Sequence, residues 1–104
     1  YDLGCSLGAS TLAILRALEA LEIEIPDLEI IAVDNAGAMI EQARSAVVDP
    51  RVTFMEADIR TLPMADAGAG AVTMNWVLQF LPPLVLSDNQ VEDLIERVRA
   101  TLGP

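Results

Sequence analysis

Four short polar segments each follow a run of apolar residues, and their residue types suit the binding of a nucleoside-bearing ligand. Gly4-Cys5-Ser6-Leu7-Gly8 is a glycine-flanked turn. Glycine lets the backbone turn sharply and lets a ligand approach the main chain, and a helix starting just beyond it would offer free N–H groups to an anion. A tight turn with no ligand reads the same way. Asp34-Asn35 ends the run Glu29–Val33. A carboxylate there can accept hydrogen bonds from both hydroxyls of a ribose, or can serve as a helix-start residue. Asp58 follows Val52–Met55. Together with the backbone of Ile59 it suits the exocyclic amine and ring nitrogen of an adenine, or it is a solvated turn residue. Asn75 follows Gly70–Met74, either as a strand-end cap or as a contact for the far end of the same ligand.

These segments need elements to hold them. Tyr1–Leu3 reads as the tail of a strand. Leu12, Leu15, Leu18 and Leu21, with Ile14 and Ala17 alongside, recur at helical spacing until Pro26-Asp27 interrupts them. Glu29–Val33 is branched and uniformly apolar after its first residue, as in a buried parallel strand. Asn35 can cap a second helix with Met39, Ile40, Ala43 and Val47 on one face, stopped by Asp49-Pro50. Val52–Met55 and Gly70–Met74 read as further strands, separated by a loop over 60–69. Pro82-Pro83 forbids a long helix around Leu78–Leu81. A last helix has capping-box spacing at Ser87 and Gln90, a stripe of Val91, Leu94, Ile95 and Val98, and Gly103 placed for a left-handed end. Alternating strands and helices predict an α/β fold with a mostly parallel sheet of about four strands. Ligands in such sheets bind beyond the carboxyl ends of the strands, which is where all four polar segments fall.

Composition narrows the function classes. The chain has 104 residues, 53% of them hydrophobic, enough for one domain with a real core. Its net charge is −10, with no lysine or histidine. Binding nucleic acid directly would require a basic surface to displace counterions, so this segment is not expected to do so. The absence of histidine excludes Ser-His-Asp and Cys-His machinery, and the lone Cys5 excludes an internal disulfide or a cysteine-rich metal site. No signal-type or membrane-length apolar run is present, so no membrane partner is expected and the cytoplasm is the expected location.

The loop is G-x-x-x-G rather than G-x-G-x-x-G, and Asp34 lies 30 positions after Gly4, later than the ~20 usual for a dinucleotide fold. A surface insertion at Ile23–Asp27 would explain the delay. The loop spacing and the acid at Asp58 argue against a nicotinamide-dependent reductase.

Tyr1-Asp2-Leu3-Gly4-Cys5-Ser6-Leu7-Gly8-Ala9, Ile31-Ala32-Val33-Asp34-Asn35, Ala38-Met39-Ile40-Glu41, Asp58-Ile59-Arg60, and Asn75 with Leu78-Gln79-Phe80-Leu81 resemble the carboxy-S-adenosylmethionine synthases. Those are bacterial enzymes of tRNA wobble-uridine modification within the class I S-adenosylmethionine-dependent methyltransferase superfamily. The strand-end pattern is shared by many members of that superfamily. The Gly-Cys-Ser-Leu-Gly loop, the Asp-Asn pair and the Leu-Gln-Phe-Leu run are more specific.

The resemblance implies a partial Rossmann-like fold and S-adenosylmethionine, or its carboxylated form, as cofactor. It implies contacts from Gly4, Cys5, Ser6, Asp34, Asn35, Asp58, Ile59 and Asn75, the last near the amino-acid end or sulfonium. The implied reaction turns prephenate into phenylpyruvate and places the released carbon dioxide on the cofactor's methyl carbon. No residue here is assigned as acid or base. Ala36-Gly37 and Trp76 depart from the family pattern, with Ser-Pro and phenylalanine frequent at those places. Residues 1–104 are expected to be a part of the cofactor-binding domain, truncated at both ends and inactive alone, and a homodimer is compatible with the full-length protein. The rivals are a small-molecule methyltransferase with the same cofactor pocket and a non-catalytic remnant.

Overall fold

The computed structural model describes residues 1–64, 69–74 and 88–103. In chain order the elements are β1 (Asp2–Leu3), α1 (Ala9–Ala20), β2 (Ile30–Asp34), α2 (Gly37–Ala46), β3 (Val52–Glu56), β4 (Thr73–Met74) and α3 (Asp88–Leu102). The four strands form one sheet in the order β3-β2-β1-β4, and every neighbouring pair is parallel. Parallel neighbours cannot be joined by a hairpin and need a crossover. α1 and α2 provide the crossovers from β1 to β2 and from β2 to β3. The chain then returns to the other side of β1, so the direction of strand addition reverses there.

The two sheet faces bury different clusters, as a period of two along the strands requires. Ile30 and Ala32 of β2 and Phe54 of β3 pack with Leu15 of α1 and with Ile40, Ala43 and the adjoining Val47 from α2. Leu3 of β1 and Val33 of β2 pack on the opposite face with Ile59, Leu62 and Leu94, the last from α3. The result is three layers, with α1 and α2 on one face and α3 on the other.

The described residues depart from expectation in five places. β4 holds only Thr73–Met74, because β1 offers just Asp2 and Leu3 as ladder partners. On α1 the core contact stops at Leu15; Ala17 is exposed, Leu18 is half-buried and Leu21, at the helix end, is largely exposed. On α2 the cap position is Ala36, with no side-chain cap, so Asn35 does not cap this helix. Met39 is 41% exposed and leaves the buried stripe. On α3, Leu94 and Thr101 are buried while Ile95 is exposed, so the inward row falls at Leu94, half-buried Val98 and Thr101.

Other expectations hold. Residues 21–27 are exposed throughout, as the surface insertion requires. Gly103 is left-handed, with φ +77°, and its N–H donates to the Arg99 and Ala100 carbonyls at 3.2 and 3.3 Å. The Pro82-Pro83 break and Ser87 lie outside the described residues.

Candidate functional site

The strands end in line. Leu3 is in register with Val33 and Met74, Val33 with Met55, and Asp34 with Glu56. Gly4, Asp34 and the turn after Glu56 therefore emerge together at the carboxyl edge of the sheet, at the point where strand order reverses. Asn75 follows Met74 in sequence and lies outside the described residues.

The turn after β1 alternates hand. Gly4, Ser6 and Gly8 have φ of +76°, +52° and +92°. The N–H groups of Gly4 and Cys5 both donate to the Val33 carbonyl, at 2.7 and 2.9 Å. Gly8 is the N-cap of α1 and makes no side-chain cap bond, and the first turn of α1 carries no acid. The helix's own first turn thus supplies no acid to its free N–H groups.

Asp34 ties the pieces together. Its Oδ2 accepts from the Ser6 N–H and its Oδ1 from the Ala36 N–H, both at 2.9 Å. Its carbonyl accepts from the Ala57 N–H at 3.0 Å, which draws the third strand end toward the first two. One oxygen thus closes an Asx-type turn onto Ala36, just before α2, while the other reaches back to the glycine turn. Among the described residues each oxygen takes one donor and keeps acceptor capacity. Asn35, beside it, is exposed.

Asp58 is not a solitary turn residue. Arg60 grips its carboxylate with Nε at 3.0 Å from both oxygens and Nη2 at 2.6 Å from Oδ2, and the Arg60 N–H donates to Oδ1 at 2.9 Å. Hydrogen bonds from the Arg60 side chain, opposed by a smaller burial effect, hold the Asp58 carboxyl below its ordinary value. The Thr61 and Leu62 N–H groups donate to the Asp58 carbonyl, closing the turn. The Ile59 N–H donates to no backbone carbonyl among the described residues, and the Ile59 side chain is buried.

Similarity to known proteins gives the family. Residues 1–104 match the methyltransferase domain family. The chain belongs to that family. Over its whole length it is 44% identical to the carboxy-S-adenosyl-L-methionine synthase of Photobacterium profundum and 41% identical to that of Trichlorobacter lovleyi. It spans only 39% and 40% of those proteins. The crystal structure of an S-adenosylmethionine-dependent methyltransferase from Mesorhizobium loti superposes with a TM-score of 0.71, at 24% identity, over 99% of this chain and 40% of the other. The fold is thus a partial Rossmann-like methyltransferase fold, and S-adenosylmethionine is the cofactor that goes with the family.

The residues present fit such a cofactor. A ribose calls for a pair of acceptors, and the Asp34 carboxylate offers two oxygens at the carboxyl edge of the sheet. The left-handed Gly4 and Gly8 permit a close backbone approach. An adenine edge calls for an acceptor and a donor side by side; Asp58 and the Ile59 N–H are adjacent, and Arg60 must release part of its hold on the Asp58 carboxylate for that acceptor to be used. The Cys5 side chain is buried in the core. Its thiol is 2% exposed, and burial, then the charges of Asp2 and Asp34, push it up to about 12, so it is not a nucleophile near neutral pH.

Besides Arg60, two residues of this methyltransferase domain escaped the sequence reading as individual participants. Asp2 is 1% exposed. Its Oδ2 accepts from the Ser10 and Thr11 hydroxyls at 2.8 and 2.7 Å, and its Oδ1 accepts from the Thr73 hydroxyl at 2.9 Å. It therefore clamps the first turn of α1 and strand β4 to β1. The signal available was an acid inside a two-sided strand, which must have partners. The other is Arg97 on α3, whose guanidinium reaches the Asp58–Leu62 turn; helical periodicity gives no hint of it.

Proposed function

We propose that the complete protein is a carboxy-S-adenosylmethionine synthase, forming carboxy-S-adenosylmethionine and phenylpyruvate from S-adenosylmethionine and prephenate. The observation that carries this reading is the whole-chain similarity, 44% and 41% identical, to synthases of that name. Within it, Asp34 accepts the ribose hydroxyls, with Asn35 beside it. The Gly4-Cys5-Ser6 backbone lines the path of the cofactor. Asp58 and the Ile59 N–H meet the adenine edge, the Arg60 fork holding Asp58 ionised and yielding one lone pair to the base amine. Asn75 contacts the amino-acid end. Bound S-adenosylmethionine supplies a methyl group acidified by its sulfonium. This chain's residues orient it and help exclude water. The carboxylated product would serve wobble-uridine modification of tRNA in the cytoplasm. The tRNA would be handled elsewhere, since this segment is strongly acidic.

The test is mass spectrometry of the small-molecule fraction after the complete protein meets S-adenosylmethionine and prephenate. A cofactor heavier by one carboxyl group, formed together with phenylpyruvate, is expected. Membership of the methyltransferase domain family supports the second reading, methyl transfer to a small molecule. S-adenosylhomocysteine accumulating without a carboxylated product would establish that instead. Asp34→Ala should weaken cofactor affinity roughly 10- to 100-fold, since hydrogen bonds to a charged acceptor are worth about 1.5–3 kcal/mol. Affinity unchanged in calorimetry would remove Asp34 from the ribose site.

A further inference from the structure

Arg97 sits on α3, the layer opposite α1 and α2. Its Nη2 donates to the Ile59 carbonyl at 2.8 Å and its Nη1 to the Leu62 carbonyl at 3.0 Å. Its Nε donates to Asp93 Oδ2, one helical turn back, at 3.0 Å. The guanidinium is thus anchored at its base by Asp93 and holds two carbonyls three residues apart with its two ends. That is a rigid planar fork spanning the turn that begins at Asp58. Below it, Ile59 and Leu62 pack against Leu94 in one cluster with Val98 alongside. The side chains fix the depth of the turn, but apolar packing is non-directional and leaves its rotation soft. The two hydrogen bonds fix that rotation, and with it the direction of the Ile59 peptide N–H and the neighbouring Asp58 carboxylate. The charge of Arg97 also adds, as the smallest contribution, to holding the Asp58 carboxyl low.

We propose that Arg97 is a positioning residue for base selection: by gripping the Ile59 and Leu62 carbonyls it aims Asp58 and the Ile59 N–H at the edge of the cofactor's purine. This rests on the assignment of Asp58 and Ile59 to the adenine. Adenine offers an amine donor and an unprotonated ring nitrogen on that edge. Hypoxanthine offers a carbonyl and a protonated ring nitrogen, the reverse pattern. A correctly aimed acceptor–donor pair rejects hypoxanthine, because both groups are then left facing their own kind. A turn free to rotate loses that discrimination while keeping its contacts with the ribose.

The experiment compares binding of S-adenosylhomocysteine and S-inosylhomocysteine to the complete protein by calorimetry, for wild type, Arg97→Met, Arg97→Lys and Asp58→Asn, with a thermal melt of each. Wild type should prefer the adenine compound by about a hundredfold, given that sites built to hydrogen-bond a group reject analogues lacking it strongly. Arg97→Met should cut that preference by about tenfold or more, chiefly by weakening the adenine compound. Arg97→Lys, which keeps the charge but cannot span both carbonyls, should lose nearly as much and not rescue. If Arg97→Met fails to fold, Arg97→Lys carries the comparison. Equal weakening of both compounds would make Arg97 merely structural and overturn the proposal, as would an unchanged preference in the Arg97 variants while Asp58→Asn abolishes it. A wild-type protein without preference for adenine would instead refute the assignment of Asp58 and Ile59, and the role of Arg97 with it.

Discussion

Gly8→Ala tests the geometry of the glycine turn through two separable costs. Gly8 has φ +92°, a left-handed conformation that costs an L-residue about 1–2 kcal/mol. An added Cβ would lie 3.0 Å from Val47 Cγ2 and 3.4 Å from Ala43 Cβ. Ala43 is completely buried and Val47 nearly so, so neither can swing into solvent, and overfilling a packed site costs about 1–3 kcal/mol. The expected loss is therefore about 2–5 kcal/mol by urea unfolding of the complete protein. Val47→Ala removes the atom in the way but not the backbone strain. The double variant should then be more stable than the sum of the single losses by the contact part, about 1–3 kcal/mol. Strict additivity would show that the approach of α2 to the turn is not what excludes a side chain. A loss below about 0.5 kcal/mol for Gly8→Ala would refute the left-handed turn itself.

Asp2→Ala should destabilise by about 2–4 kcal/mol, because it orphans the fully buried Thr11 hydroxyl while Ser10 and Thr73, only partly buried, can recruit water; chemical denaturation reads this, and a loss under about 1 kcal/mol would mean that Asp2 is not the clamp. Cys5 should resist iodoacetamide at pH 8 in the native protein and react once unfolded, since a thiol at about 12 leaves about one thiolate in ten thousand at that pH. Prompt native labelling would contradict the burial. The same shift has a sign in stability: the folded thiol holds its proton above the ordinary value of 9.0, so the unfolded chain ionises first and stability falls as pH rises from 9 toward about 12. Cys5→Ala should flatten that part of the pH profile.

What could be read along the chain was what depends on neighbours in sequence. Glu29–Val33 ending in Asp34, and Val52–Met55 leading to Asp58, are apolar runs closed by an acid, and a buried parallel strand that must stop at a polar edge produces that pattern. The register that brings Leu3, Val33 and Met55 into line follows from parallel pairing, so the sheet edge was legible. The pairings that complete the site were not. Asp2 finds Thr73 71 residues away, and Arg97 finds Ile59 38 residues away; no local period encodes either. The Asp58–Arg60 pair is local, yet it was missed, because an i, i+2 charge pair in a turn forms only if the turn folds both side chains to one side. Helix stripes failed for a related reason. Leu21 and Ile95 have the right spacing but face no layer, since periodicity marks which residues share a face and not how far the neighbouring layer extends.

The polar contacts that went unread share one purpose. Asp2 holds the start of α1 against β1 and β4, Asp34 binds the glycine turn to β2, and Arg97 binds the Asp58 turn to α3. Each joins a loop at the carboxyl edge to an element in a different part of the sheet or layer. Apolar packing alone would let those loops slide and rotate at little cost, whereas a hydrogen bond weakens as its angle leaves the favourable range and so sets a direction. The proposed readout of an adenine edge and of two ribose hydroxyls requires that precision. It follows that replacing Arg97 should blur ligand selectivity out of proportion to any loss of fold, while replacing a core residue such as Leu94 should do the opposite.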